Sequence, residues 1–244
     1  MSRKTSRRNF VAGGLAAAGG TLAAGALSMG GSSGLAFAET PEKTAAPRPK
    51  TPDEALAELL AGNKRFVEGN PQNPRRDSVR RIITAEGQKP YAIILTCSDS
   101  RVAPEVIFDE GLGDLFIVRV AGNTASDPIL IGSMEYSVLT FGSILVMVLG
   151  HTECGAVKST VEVVTQGKTL PGELDAVVEP IEPAVQAVQD LPADQQLDAA
   201  IRQNVSMTVQ ALGQIPTFSE PVQSGQLKIV GYEYQLKTGK VTPV

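Results

Sequence analysis

Between residues 91 and 234 the chain alternates short apolar runs with longer mixed stretches. Tyr91–Thr96 (YAIILT), Leu115–Val120 (LFIVRV), Ile144–Leu149 (ILVMVL) and the weaker Ile229–Tyr234 (IVGYEY) lack a strict polar alternation. Such runs are buried on both faces, which predicts strands of a parallel sheet. Helical stretches fall between them, near 103–108, 126–141, 153–166 and 179–213. The pattern predicts an α/β fold, with a central, mostly parallel sheet of about four strands flanked by helices. Lys237-Thr238-Gly239-Lys240 predicts a turn that adds a small antiparallel edge strand. Upstream, Thr51-Pro52-Asp53-Glu54 combines an N-cap, a Pro at the first helical position and a capping-box Glu. Leu56, Leu59, Leu60 and Phe66 follow at helical spacing, so a helix is expected to run to about Gly69, followed by a loop over 70–77. With no repeat and no second core pattern, residues 51–244 are expected to form a single α/β domain.

The first 38 residues differ from the rest. They carry Arg3, Lys4, Arg7 and Arg8 and no acid, then an Ala- and Gly-rich run from Phe10 to Leu27, then Ala36-Phe37-Ala38. These are the basic region, apolar region and small-x-small cleavage site of an export signal. Ser6-Arg7-Arg8-Asn9-Phe10-Val11 resembles the twin-arginine motif. The expectation is a signal peptide over 1–38, a Pro-rich linker over 39–50, and a periplasmic or extracellular protein. Gly-rich apolar runs insert poorly, so no stable membrane anchor is expected after cleavage.

Removing the four basic leader residues from the 22 Lys and Arg leaves 18 against 26 acids, a formal charge of −8. A chain that acidic has no electrostatic footprint for nucleic acid. The chain has two cysteines, Cys97 and Cys154, and in an exported protein that first suggests a disulfide.

Their surroundings suggest otherwise. Cys97 ends the first apolar run, in Cys97-Ser98-Asp99-Ser100-Arg101. His151, the chain's one histidine, ends the third, in Gly150-His151-Thr152-Glu153-Cys154-Gly155. Ligands of open α/β sheets bind at the carboxyl ends of strands, where strand order reverses. If those strands are neighbours, two thiolates and one imidazole meet there. They fill three of the four positions zinc prefers and leave the fourth for water, as in a catalytic site. One Zn2+ per chain is expected.

The paired motifs Cys97-Ser98-Asp99-Ser100-Arg101 and Gly150-His151-x-x-Cys154-Gly155 resemble the beta-class carbonic anhydrase family. The likeness runs from Leu59-Asn63-Phe66 through Gly87-Gln88-x-Pro90, Gly113-Asp114-Leu115-Phe116-Ile117-Val118-Arg119, Asn123 and Ser133-x-Glu135-Tyr136 to Gly231-Tyr232 and Gly239-Lys240-Val241. It departs at Arg119-Val120-Ala121-Gly122-Asn123, where the family often has Arg-Asn-x-Ala-Asn. The resemblance implies a carbonate dehydratase, a lyase that reversibly hydrates carbon dioxide to bicarbonate and a proton by attack of zinc-bound hydroxide. Two thiolates leave zinc near zero net charge, so it should acidify water less than a three-histidine site, where the pKa is ~7. Asp99 would accept a hydrogen bond from the zinc-bound oxygen, and Arg101 would keep Asp99 ionised and aimed. The resemblance also implies that Asp99 can become a fourth ligand and close the site. Gln88, Phe116 and Tyr136 match positions lining the family's substrate pocket, although plain core packing would equally explain the two aromatics. A homodimer or higher homo-oligomer is implied, with the active site near the subunit interface. With His151 on the metal, the proton must leave through solvent, buffer, a carboxylate or a tyrosine.

Three rivals are open at this level. A carbonyl sulfide or carbon disulfide hydrolase would share the metal motif. A non-catalytic zinc protein would close the site with four protein ligands. A redox protein would join Cys97 to Cys154.

Overall fold

The apolar runs do form the centre of a sheet. The structure, a computed structural model, describes residues 48–244. The expected signal peptide and most of the linker lie outside the described residues. The strands are β1 (Ala92–Thr96), β2 (Leu115–Arg119), β3 (Leu145–His151), β4 (Lys228–Tyr234) and β5 (Val241–Pro243). Their order is β2-β1-β3-β4-β5. The first four strands are parallel, and β5 pairs antiparallel with β4 at the edge. Every residue of β1 and β3 is buried, which is why neither run alternates.

Helices cover both faces. The described helices are α1 (Pro52–Val67), α2 (Ser78–Ala85), α3 (Pro104–Ile107), α4 (Pro128–Tyr136), α5 (Gly155–Gln166), α6 (Asp175–Val178), α7 (Glu182–Gln186), α8 (Ala193–Leu212) and α9 (Pro216–Gln223). On one face Ala55, Leu59, Ile107 and Phe108 pack on Ala92, Ile94, Leu145 and Met147. On the other, Met134, Val205, Leu212 and Phe218 pack on Ile93, Leu95, Val146 and Val148. Alternate residues of each strand thus serve opposite cores. Truncating any of these large buried side chains to Ala is expected to cost about 2–5 kcal/mol.

The Thr51 capping box forms as expected: Glu54 N donates to Thr51 Oγ1 at 3.2 Å, and Thr51 N donates to Glu54 Oε2 at 3.3 Å. The helical stretch near 179–213 is built from several pieces. A 3-10 turn at Glu179–Ile181 and the short α7 precede a break, and Pro192 then caps α8 in an extended conformation. Proline lacks the amide a continuous helix needs there, and it biases its predecessor away from helix. Two helices were not anticipated, α2 and α9. Helix α2 has no fully buried residue and is started by Asp77, whose carboxylate accepts from Arg80 N at 2.7 Å.

Candidate metal centre

The chain leaves β1 for β2 on one side and crosses to β3 on the other, so strand order reverses between β1 and β3. This is the crevice where α/β sheets place ligands. Thr96 is level with Leu149, and its hydroxyl donates to the Leu149 carbonyl at 2.8 Å, tying the two strand ends together. The next residues on these strands are Cys97 and Gly150, with His151 one further. Gly150 has no alternative: a Cβ there would lie 2.5 Å from Val205 Cγ2, because α8 crosses directly above.

Cys154 returns to the same point through a tight turn. Glu153 takes a left-handed φ of 56°, a conformation that costs a non-glycine residue roughly 1–2 kcal/mol. Thr152 holds the turn, donating its amide to Tyr234 O at 3.0 Å and accepting Leu236 N on Oγ1 at 3.1 Å. Cys154 is then the N-cap of α5, where the helix N-terminus favours a thiolate.

One ligand atom from each of Cys97, His151 and Cys154 lies within 4.8 Å of the others, and all three residues are buried. Both cysteines are free thiols. His151 Nδ1 lies 2.9 Å from Thr152 O, so Nδ1 carries the proton and Nε2 is left as an acceptor. Nε2 is buried and has no hydrogen-bond partner among the described residues. An orphaned imidazole lone pair beside two sulfurs fits a metal ion, and the S, S, N donor set fits zinc. The two sulfurs titrate as a pair. Cys154 donating to Cys97 pushes the Cys97 thiol well below its ordinary value against the cost of burial, with His151 and the Gly122 and Asp99 amides adding to it. The same sharing pushes Cys154 up. Burial works against an imidazolium at His151, but the neighbouring Cys97 thiolate, the Thr152 carbonyl and Asp99 together hold its pKa above the ordinary value.

Asp99 sits at the rim. Arg101 grips its carboxylate twice, Nε to Oδ1 at 2.9 Å and Nη2 to Oδ2 at 2.7 Å, and the Arg101 amide adds a third bond to Oδ1 at 2.9 Å. This pairing holds Asp99 well below the usual carboxylate range. Oδ2 is 3.9 Å from His151 Nε2, so the carboxylate borders the cluster while turned toward Arg101.

The three expected substrate-pocket residues are not at this end of the sheet. Phe116 is level with Ile93, four residues before Cys97, or about 13 Å back along the strand. It packs near Phe141 (centroids 6.2 Å), which Tyr136 meets edge-on at 5.3 Å. Gln88 precedes β1 and lines a shallow pocket of ≈ 380 Å³ with Thr84, Gly87, Leu112 and Gly113. All three belong to the amino half of the sheet.

Sequence reasoning missed three groups around the metal ligands. Arg119 donates Nε to Cys97 O at 3.1 Å and Nη2 to Asp99 O at 2.6 Å, clamping the loop that carries both. Gly122 donates its amide to Cys97 Sγ at 3.4 Å, and Asn204 of α8 donates to the Gly122 carbonyl at 2.7 Å. The departure at Val120-Ala121-Gly122 was the only visible signal, and nothing near it in sequence points to Asn204.

Comparison with known proteins agrees with this geometry. Residues 92–241 match the family model described as carbonic anhydrase. Carbonic anhydrase 2 of Mycobacterium tuberculosis is 40% identical over 190 residues, covering 78% of this chain and 91% of that protein. Carbonic anhydrase of Mycolicibacterium smegmatis is 37% identical over 191 residues, covering 78% and 92%. Among solved structures, the beta-carbonic anhydrase CcaA (27% identical, 76% of this chain and 93% of that one) superposes with a TM-score of 0.60. The Coccomyxa beta-carbonic anhydrase in complex with acetazolamide (25% identical, 78% and 86%) superposes with a TM-score of 0.62.

Proposed function

Since the chain belongs to the beta-class carbonic anhydrase family, we propose how its own residues divide the work of hydrating carbon dioxide. The activity is the reversible conversion of carbon dioxide to bicarbonate and a proton, and the cofactor is zinc. The observation that carries this reading is the convergence of Cys97, His151 and Cys154 on one buried point, with His151 Nε2 unpartnered. Zinc held by these three atoms acts as a Lewis acid that makes water nucleophilic near neutral pH.

The protein's part is positioning and proton control. Asp99, kept ionised by Arg101, accepts a hydrogen bond from the attacking oxygen and fixes its orientation. Because an ionised carboxylate can only accept, a water beside Asp99 would be oriented with an O–H toward it and a lone pair left free. The Thr152 carbonyl holds the His151 tautomer, so Nε2 stays available as a ligand. The pairing of Asp99 with Arg101 supports reading the site as open, with Asp99 outside the ligand set. Zinc content measured alongside carbon dioxide hydration from pH 6 to 9 tests the reading. One zinc per chain with activity is expected, and activity that is independent of metal would overturn it.

The distance between the cluster and Gln88, Phe116 and Tyr136 favours an oligomer. A second copy would bring Gln88, Phe116 and Tyr136 of the partner subunit to the crevice. Exposed apolar side chains beside Tyr136 support this: Ile129 is 78% exposed and Leu139 74%. The polar Gln88 would then orient bicarbonate, and the aromatics would wall an apolar space suited to carbon dioxide. Mixing an inactive Cys154→Ser chain with an inactive Gln88→Ala chain should restore part of the activity. No restoration in mixed dimers would count against a composite site.

Export through the twin-arginine route is part of the proposal. The Arg7-Arg8 pair, the Ala-rich run after it and Ala36-Phe37-Ala38 support it. Among the described residues no helix is long and apolar enough to cross a membrane. Replacing Arg7 and Arg8 by Lys should retain the protein in the cytoplasm, and unchanged export would refute the route.

A further inference from the structure

The departure from the family pattern at Val120-Ala121-Gly122 turns out to face a metal ligand. Ala121–Asn123 form a 3-10 turn just after β2, with Gly122 at φ 77° and ψ 9°. A Cβ on Gly122 would lie 2.4 Å from Ile181 Cδ1, and the positive φ also favours glycine. The turn aims the Gly122 amide at the Cys97 sulfur, 3.4 Å away and buried. It is held from the far side by Asn204, a buried side chain whose Nδ2 reaches the Gly122 carbonyl at 2.7 Å. Asn204 is itself fixed, because its neighbour Val205 fills the space left by Gly150 and Ile201 is fully buried one turn earlier.

An N–H aimed at a thiolate draws negative charge from the sulfur. Hydrogen bonds to ligating sulfurs tune a metal's electronics in this way. Two thiolates leave zinc here with little net charge, so the site benefits from any group that reduces sulfur donation. We propose that Asn204 is a positioning residue that tunes the metal: by fixing the Gly122 turn it holds an amide on the Cys97 sulfur and keeps the zinc electron-poor. The inference rests on the zinc reading above and adds a long-range residue to it, 107 positions from the ligand it influences.

The test replaces zinc with cobalt and records the sulfur-to-cobalt charge-transfer band in wild type and Asn204→Ala. With the amide no longer held, the sulfur becomes more electron-rich. The band should move to lower energy while one metal per chain is retained, and zinc-enzyme kcat should fall about tenfold with KM nearly unchanged. A band coincident with wild type overturns the proposal, whatever happens to activity. If Asn204→Ala does not fold, Asn204→Ser and Asn204→Asp make the same comparison. Ser keeps a donor for the carbonyl and Asp in its ionised form does not, so a lower-energy band in Asp supports the tuning and identical bands refute it. Wild-type protein that takes up cobalt with no sulfur band overturns the ligand set itself, a separate result.

Discussion

The two ends of the sheet bury polar groups in opposite ways. At the carboxyl end, His151 Nε2 has no hydrogen-bond partner among the described residues, two sulfurs stand beside it, and the surrounding bonds with Thr152, Gly122 and Arg119 all serve to hold that arrangement. At the amino end, charge is cancelled internally. Arg75 bridges Glu110 and Asp114, each at 2.6 Å, and Arg80 of α2 adds a third contact to Asp114 at 3.1 Å. Two arginines face two carboxylates, with the Tyr91 hydroxyl beside Glu110. Neither that hydroxyl nor Glu110 Oε1 completes a well-formed hydrogen bond. The amino end carries its own counter-charges, whereas the carboxyl end has a donor set that only an added cation satisfies. An unpartnered buried lone pair marks a ligand site when its neighbours are other donors. It marks a structural compromise when its neighbours already balance the charge.

Breaking the carboxyl end should have the largest effect. Cys154→Ser should lose most of its zinc and at least a hundredfold in activity, because a hydroxyl replaces a thiolate poorly. Metal analysis of the purified variant checks this, and full occupancy would remove Cys154 from the ligand set. Next is Asp99→Asn, which should keep zinc yet lose about a hundredfold in kcat. The amide offers a donor where the carboxylate only accepts, and Arg101 loses its counter-charge. Wild-type turnover in that variant would take Asp99 out of the reaction.

Changes in the Arg75–Glu110–Asp114 cluster at the amino end should register as stability, not catalysis. Burial, together with the nearby Asp114 charge, pushes Glu110 up to about 7 from an ordinary value of 4.5. The folded protein therefore holds this proton more tightly than the unfolded chain. The associated stability is present below about pH 4.5 and is lost as pH rises through 7. Glu110→Gln should flatten the fall in stability between about pH 4.5 and 7, a difference on the order of 1–3 kcal/mol by urea unfolding of zinc-saturated protein. Identical pH profiles for variant and wild type would show that Glu110 does not carry this linkage. The smallest effect is at the edge of the fold, where Thr51→Ala removes the α1 cap and should cost about 1 kcal/mol with unchanged turnover. A measurable loss of activity there would blur the division between the two ends.

Much of this was legible in the linear chain. Non-alternating runs announced buried parallel strands, and Thr51 to Glu54 announced a helix start. Cys97 and His151 at strand ends announced a site. Those signals are local: each depends on residues within a turn or a strand of one another. The α2 helix was less visible, because its face is exposed and leaves no core periodicity. The helical stretch expected near 179–213 is helical but interrupted, and Pro192 sets the start of its last helix.

Residue types and spacing predicted the sheet and put Cys97 and His151 at strand ends with Cys154 three residues on, and the family resemblance implied the roles of Asp99 and Arg101. The strand order decided the rest. It put β1 beside β3, closing the metal cluster, while Gln88 before β1 and Phe116 early in β2, with the Phe141–Tyr136 pair beside it, lie toward the amino half of the sheet. It also brought Ile181 and Asn204 onto Gly122 from helices far along the chain. Contacts of that kind arise from how packed layers meet, and no local pattern in the sequence encodes where two distant layers will touch.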